Sequence, residues 1–326
     1  MSTAEISSER ENPVGSVSSA VRRITVASPR LHKLQVRHFL VANVVSFVLA
    51  IGCIVWTIFF GVKISTLAIA FIFYFLTGAS IEVGFHRCFA HGTFKVPGWL
   101  RAAMAAFAVM AAQGPTAYWV GNHRRHHSFP DRDGDPHSPR DGFWHAHFLW
   151  MLDREVTFTP RFAADMLQDP AIRWIDARYY YFVIGGLIVP GLLAVMFSWS
   201  WQTFVSGVLW GGGMRMFFVQ HGTFAVNSIC HRFGGRPFRT ADLATNVSNM
   251  SWLSFGQSLH NNHHAFPSSA TMALLRGEID PGSLILLGLA KLGLATDIQT
   301  PAQSAVEGKL ASAGDVRRVR IFRFSK

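Results

Sequence analysis

Charge is scarce in this chain. Only 15% of its 326 residues are Asp, Glu, Lys or Arg, against roughly 25% in soluble globular domains, so an ordinary water-exposed fold is excluded. Cysteine is scarce too. Cys53, Cys88 and Cys230 are widely spaced and form no CxxC pair, which excludes a disulfide framework and a thiolate zinc site. No secretory signal pattern opens the sequence: residues 1 to 38 are polar, Ser-rich and basic, and are expected to be a disordered cytoplasmic tail. No basic helix with base-reading side chains stands out, so the net charge of +11 gives no support to a nucleic-acid role.

What the chain has is long apolar runs. Leu40 to Phe60 reads LVANVVSFVLAIGCIVWTIFF, 21 residues without a charge, enough as a helix to cross a hydrocarbon core of ~30 Å. After a short GVK break, Ile64 to Ile81 gives a second run. A later pair spans Tyr179 to Trp201 and Phe204 to Gln220, with Tyr and Trp at the ends as in an interfacial belt. The tail holds six Lys and Arg, the segment from Glu82 to Arg178 eleven and the stretch after Gln220 eleven, whereas the two hairpin turns hold only Lys63. The positive-inside bias then places both ends and the long middle segment in the cytoplasm, and the net charge reads as this topology signal.

The expected fold is an all-α integral membrane protein with four transmembrane helices in two hairpins (about 40–60, 64–81, 179–201 and 204–220) under a cytoplasmic helical cap. Residues 39–298 form the membrane domain and residues 299–326 a basic cytoplasmic tail. Gly211, Gly212 and Gly213 in the fourth run permit close helix approach. Arg215 beside them is costly in lipid, so it should face the protein interior or snorkel inward, and is a candidate for a structural pair.

Histidine is crowded on the cytoplasmic side of that map. His86 and His91 lie in HRCFAH, His123, His126 and His127 in HRRHH, His231 in NSICH, and His260, His263 and His264 in HNNHH. Positions i, i+3 and i+4 share a helix face, so each HxxHH would aim three imidazoles one way, and Asn227 and His231 share a face likewise. His86 and His91 are five apart and would diverge by about 140° on a helix of 3.6 residues per turn, so a helix break near His86 is expected. One HxxHH alone is usually a solvated face, but two such triplets, a pair and an NxxxH on one membrane side point to a metal cluster. His32, His38, His145, His147 and His221 lack this patterning and read as ordinary polar or packed residues; His137, in DPHSP, reads as a group supporting the ligands or as merely polar, the second being preferred.

Imidazole-rich sites suit iron, copper, zinc or nickel rather than calcium or magnesium. Nine ligands exceed two closed tetrahedral sites, so two metals with higher coordination and open positions fit better. A redox metal beside a bilayer suggests oxygen chemistry on a lipid chain.

With these residues in view, HRCFAH, HRRHH, NSICH and HNNHHAFP, in this order and separated by two membrane hairpins, resemble the membrane-bound fatty-acyl desaturases, specifically the acyl-CoA desaturase branch. The likeness runs from about Thr77 to Ile298 and takes in GDPHSPRDGFW, NSICHRFGGRPF and EIDPG. Membrane alkane hydroxylases, with different histidine spacings, match less well. The resemblance implies a non-haem centre of two ferrous ions held by the nine histidines, with Asn227 reaching iron through water, and a substrate bend shaped by Gln113, Trp119 and Thr223. It also implies oxygen-dependent desaturation of a fatty-acyl chain, carried on CoA as the first expectation and on a carrier protein or lipid as the alternative. Electrons would come from a separate ferredoxin or cytochrome carrier with its reductase, because no haem or flavin domain is evident in the chain. The expected location is the bacterial plasma membrane. An acyl hydroxylase or acetylenase on the same scaffold is the alternative enzyme, and a catalytically silent metal-binding membrane protein the non-enzyme alternative.

The sequence departs from that pattern at three places. Gln257 stands where relatives have Glu before the third box, Glu82 stands where they have a small or hydroxyl residue, and Gly92 replaces a common basic residue. A carboxylate that supports the ligands has therefore been moved or lost. Arg232, Arg236 and Arg239 are candidates for docking an acidic electron carrier, ahead of Arg124 and Arg125, which flank ligands.

Overall fold

The computed structural model describes residues 24–321 and 324. A helix α1 runs from Pro29 to Phe60 and a second, α2, from Ile64 to Ala90; among the described residues these are the two helices long and apolar enough to cross a membrane. Their outer faces carry Phe47, Ile58, Phe59, Ile64 and Phe71, all more than half exposed, as a lipid-facing surface requires. Two shorter helices follow, α3 (Gly98–Val109) and α4 (Thr116–Ser128). Then comes a bent pair, α5 (Pro170–Asp176) and α6 (Tyr179–Val195), which makes a third span if its two arms are taken together across a 68° bend. The helical run α7 covers 201–228, as Trp201–Gly207, a π-helical stretch Val208–Met214, and Arg215–Ser228.

The tail expected through residue 38 is shorter than the composition suggested. Thr25–Ala27 pairs antiparallel with Glu155–Thr157, and α1 already begins at Pro29, where Ser28 accepts from the backbone of Leu31. Gln35 and His38 are buried on its inner face, Gln35 donating to the Asp153 carbonyl and His38 meeting the Tyr179 hydroxyl at 3.0 Å. A few buried polar residues outweighed the overall polarity; the first 23 positions lie outside the described residues. The C-terminal segment also packs rather than trails: α8 (Gln303–Lys309) buries Val306, which with Leu310 joins Phe238, Leu274 and Leu275.

The break expected near His86 is not there. The chain stays helical through Ala90 by widening into a π-helix over Ser80–Ala90, and the His91 amide donates to the His86 carbonyl at 3.1 Å. That i→i+5 bond sets residues five apart one above the other, so the two rings meet at 4.9 Å between centroids.

Small residues let α7 close on α6 and, at Gly213, on α1. A methyl on Gly212 would come within 2.8 Å of the Leu187 carbonyl oxygen, and one on Gly213 within 2.5 Å of Leu49. Arg215 points inward, but its partners are backbone carbonyls rather than an acid: it donates to Gly211, Met110 and Gly186 at 3.0, 2.8 and 2.6 Å. One buried guanidinium thus ties α7 to α6 and to the end of α3.

Candidate metal centre and acyl cavity

The nine patterned histidines converge above α2 and α4, and they do so as two groups. His86, His91, His123, His127 and His263 form the first, and His126, His231, His260 and His264 the second; within each, one nitrogen per ring lies within 4.8 Å of all the others. Each HxxHH box is divided between the groups. On α4, His123 and His127 share a face and serve the first, while His126 serves the second; in the short helix α9 (His260–Ala265), placed before α8 in the chain, His260 and His264 serve the second and His263 the first. The expectation that each triplet aims one way is therefore corrected. Residues i and i+4 are nearly aligned, whereas i+3 is rotated by about 60° in the other sense, enough to address a neighbouring position.

Nε2 atoms face one another across the site. His91 meets His123 at 2.8 Å, His263 meets His127 at 2.8 Å, and His260 meets His231 at 2.9 Å. Several rings are held from behind by acids on Nδ1: Asp135 on His126 at 2.9 Å, Asp131 on His231 at 3.1 Å, Asp242 on His264 at 3.1 Å, and Glu82 on His86 at 2.8 Å. An imidazole that donates its Nδ1 proton to a carboxylate keeps a lone pair on Nε2. His126 and His264 are both so held, yet their Nε2 atoms stand 3.3 Å apart. Two lone pairs at that distance repel unless a proton or a metal cation lies between them, so the donor set fits metal.

Protonation by solvent is opposed across most of the cluster. Burial, and next the neighbouring imidazoles, hold His123, His127, His260, His263 and His264 well below the ordinary imidazole value. His91 is pushed down to about 3, by burial first and then by Arg124. Neutral imidazole is the ligating form. His126 differs: burial opposes its charging, but Asp135, Asp131 and Asp242 outweigh burial and lift its pKa.

Asn227 lines a cavity together with His123, His126 and His260, and Gln113, Trp119 and Thr223 line that same cavity. Trp119 donates to the Gln113 side-chain oxygen at 3.1 Å, and the Gln113 amide and the Thr223 hydroxyl both donate to the Val219 carbonyl. The Trp119 ring stacks on His123 at 5.1 Å, so one wall of the cavity is braced directly against a histidine of the first group. Gln257 is another lining residue, and Glu82 reaches His86 at 2.8 Å. Gly92 adopts a φ of +61°, a turn that favours glycine.

Several residues were missed or underrated. His38 lines the cavity. His137 packs on His126 at 4.6 Å and approaches Asp135 at 3.6 Å, so it belongs to the support of the site. Asp131, Asp135 and Asp242 went unremarked; the one available signal was Asp135 inside GDPHSP, nine residues after His126. His147 and His221 meet at 3.1 Å outside the two groups, His32 meets the Leu152 carbonyl and His145 pairs with Asp153. Arg124 pairs with Asp165 and Arg125 with Gly134 and Thr157, while Arg236 and Arg239 bond the backbone at Ala244 and Gly308.

The geometry accords with what the chain is similar to. The family model described as fatty acid desaturase matches residues 64–274. An enzyme named hex-5-enoyl-[acyl-carrier protein] acetylenase from Moorena producens is 34% identical over 87% of this chain and 92% of its own. The delta-9 acyl-lipid desaturase 2 of Arabidopsis thaliana is 38% identical over 74% of this chain and 76% of its own, and the icosanoyl-CoA 5-desaturase of Limnanthes douglasii 37% over 69% and 62%. The chain belongs to the fatty acid desaturase family of membrane proteins. It is an oxidoreductase that desaturates a fatty-acyl chain, and its histidine groups are suited to bind metal.

Proposed function

We propose that the two histidine groups each hold one iron, and that the chain carries out oxygen-dependent desaturation of an acyl chain lying in the cavity beside Trp119. His86, His91, His123, His127 and His263 would hold one ion; His126, His231, His260 and His264 would hold the other, with Asn227 acting through water. The observation that carries this reading is the facing of His126 and His264, two rings whose outer nitrogens are engaged by acids and whose inner lone pairs need a cation between them. When bound, the irons supply the activation of dioxygen. Removal of two hydrogens from neighbouring acyl carbons yields two electrons; two more from an external carrier, with two protons, complete the reduction of one dioxygen to two waters. The protein's own task is positioning. Gln113, Trp119 and Thr223 fix the wall that decides which carbons lie under the site, and burial excludes water from it.

Four spans with both ends and the site in the cytoplasm remain the proposed topology, in a bacterial plasma membrane. The domain limits 39–298, followed by a basic C-terminal segment 299–326, go with it. The acyl group is proposed to arrive on CoA, with a carrier protein or a lipid as the alternatives that relatives of each kind keep open. For the separate electron donor, a ferredoxin or cytochrome with its reductase, the exposed Arg232, Arg236 and Arg239, which follow His231 in the chain, are the candidate docking residues. A surface hollow lined by Arg236, Arg276 and Arg318 reaches Asn246 and Glu278, both hydrogen-bonded to Asn262 between the ligands of the third box. The deciding experiment is mass spectrometry of fatty acids, with double-bond location, from cells making the protein and its donors, alongside iron per purified chain. New double bonds with two irons are expected; hydroxylated or acetylenic products would select the alternative enzyme, and metal without any product the silent binder.

A further inference from the structure

The acids behind the two histidine groups are unequally distributed. In the second group three of four rings are backed by aspartates: His126 by Asp135, His231 by Asp131 and His264 by Asp242. All three acids are buried, and among the described residues none forms an ion pair with Lys or Arg. The second oxygens of Asp135 and Asp242 accept from backbone amides, of His137 and Ala244, while on Asp131 the Leu243 amide shares the oxygen that meets His231 and the other oxygen is buried without a hydrogen-bond partner. In the first group one ring of five, His86, has a carboxylate, Glu82. That acid is also bound by Arg87 at 2.9 Å, and Arg87 in turn is held by Asp280, Ser283 and the carbonyls of Ala270 and Phe255.

We propose that Asp131, Asp135 and Asp242 are positioning residues that make the two metal positions electronically unequal, the second-group ion being the harder of the two to reduce. A carboxylate on the far nitrogen orients the ring and increases its donor strength. A buried negative charge also stabilises the ion of higher charge, and low dielectric magnifies that effect; Arg125 acts on Asp135 electrostatically but bonds the Gly134 carbonyl rather than the carboxylate. Three such acids serve the second position. The first has one, whose charge Arg87 already opposes. Each ion takes up one electron in passing from ferric to ferrous, without any bond being made or broken, so the external donor's first electron should reside at the first group.

This rests on the two-iron reading above, and the test separates the two. Iron-loaded full-length protein in detergent is titrated with a chemical reductant, and the ferric and ferrous populations are followed by Mössbauer spectroscopy. Two irons per chain, reduced at separate midpoints, are expected. Asp242→Asn should make the lower-potential position easier to reduce by about tenfold, which is about 59 mV for a one-electron couple, and leave the other in place; Asp242→Glu should restore it. Glu82→Gln should move only the higher-potential position. Asp131→Asn gives the same reading should the Asp242 variant lose its fold. Two irons with one common midpoint, or a variant that moves both equally, would overturn the proposal while leaving the two-iron centre standing. Fewer than two irons per chain would overturn both.

Discussion

At the scale of single residues, the division of the boxes makes ligand loss selective. His263→Ala removes a ring from the first group and His126→Ala one from the second, so each variant should lose about one iron per chain and at least 100-fold in turnover, the upper range for ligand-supporting partners. Insertion should persist, because the spans supply most of the stability. Metal analysis of the purified variants checks this, and full iron with full turnover in either would refute the assignment. The cavity wall has a different signature. Enlarging Thr223 to Phe, or trimming Trp119 to Phe, should shift double-bond position or preferred chain length with iron content unchanged. Uniform loss of product without such a shift would mean that these side chains serve packing alone. The ligands were legible because imidazoles at i, i+3 and i+4 in repeated boxes have no common structural use. Their supporting acids were not, because Asp131 and Asp242 lie 100 and 22 residues from the rings they hold, and only the fold brings them there.

Among the elements, α1, α2 and α6 could be read from uninterrupted apolar sequence, since hydrophobicity reports that a segment is buried in lipid. It does not report winding. The π-helical stretches leave no mark in composition, so the spacing of His86 and His91 suggested a break where the helix widens instead. α7 shows another consequence of element packing. Arg215→Met would leave the carbonyls of Gly186 and Met110 without their charged donor, and hydrogen bonds to charged groups contribute about 1.5–3 kcal/mol each. The variant should therefore lose about 3 kcal/mol, seen as a lower midpoint of thermal unfolding in detergent; an unchanged midpoint would show that the three carbonyls find other donors.

Over the whole molecule, 28 of the 30 Lys and Arg lie in the three segments before, between and after the two proposed hairpins. Steering of an acidic carrier by such charges weakens with salt, the Debye length being about 10 Å at 0.1 M. Turnover limited by carrier encounter should therefore fall as ionic strength rises. Arg236 and Arg239 hold the backbone of the cap, so reversing them risks the fold. Reversal of Arg232 and Arg276 to Glu is the cleaner test. It should raise the carrier concentration needed for half-maximal rate more than the substrate concentration; if neither requirement moves at low salt, the charges set topology only.

The third box closes both histidine groups, and that fixes a moment in the life of the chain. On the proposed ligand set, a ribosome that has completed residue 259 has already made six of the nine ligands, but the first group still lacks His263 and the second lacks His260 and His264. Neither ion can be fully held until the start of the last fifth of the sequence, residues 260 to 264, has emerged. Metal capture is thus a late event in biosynthesis, and a nascent chain stalled in the membrane has no completed centre with which to activate oxygen beside unprotected lipid.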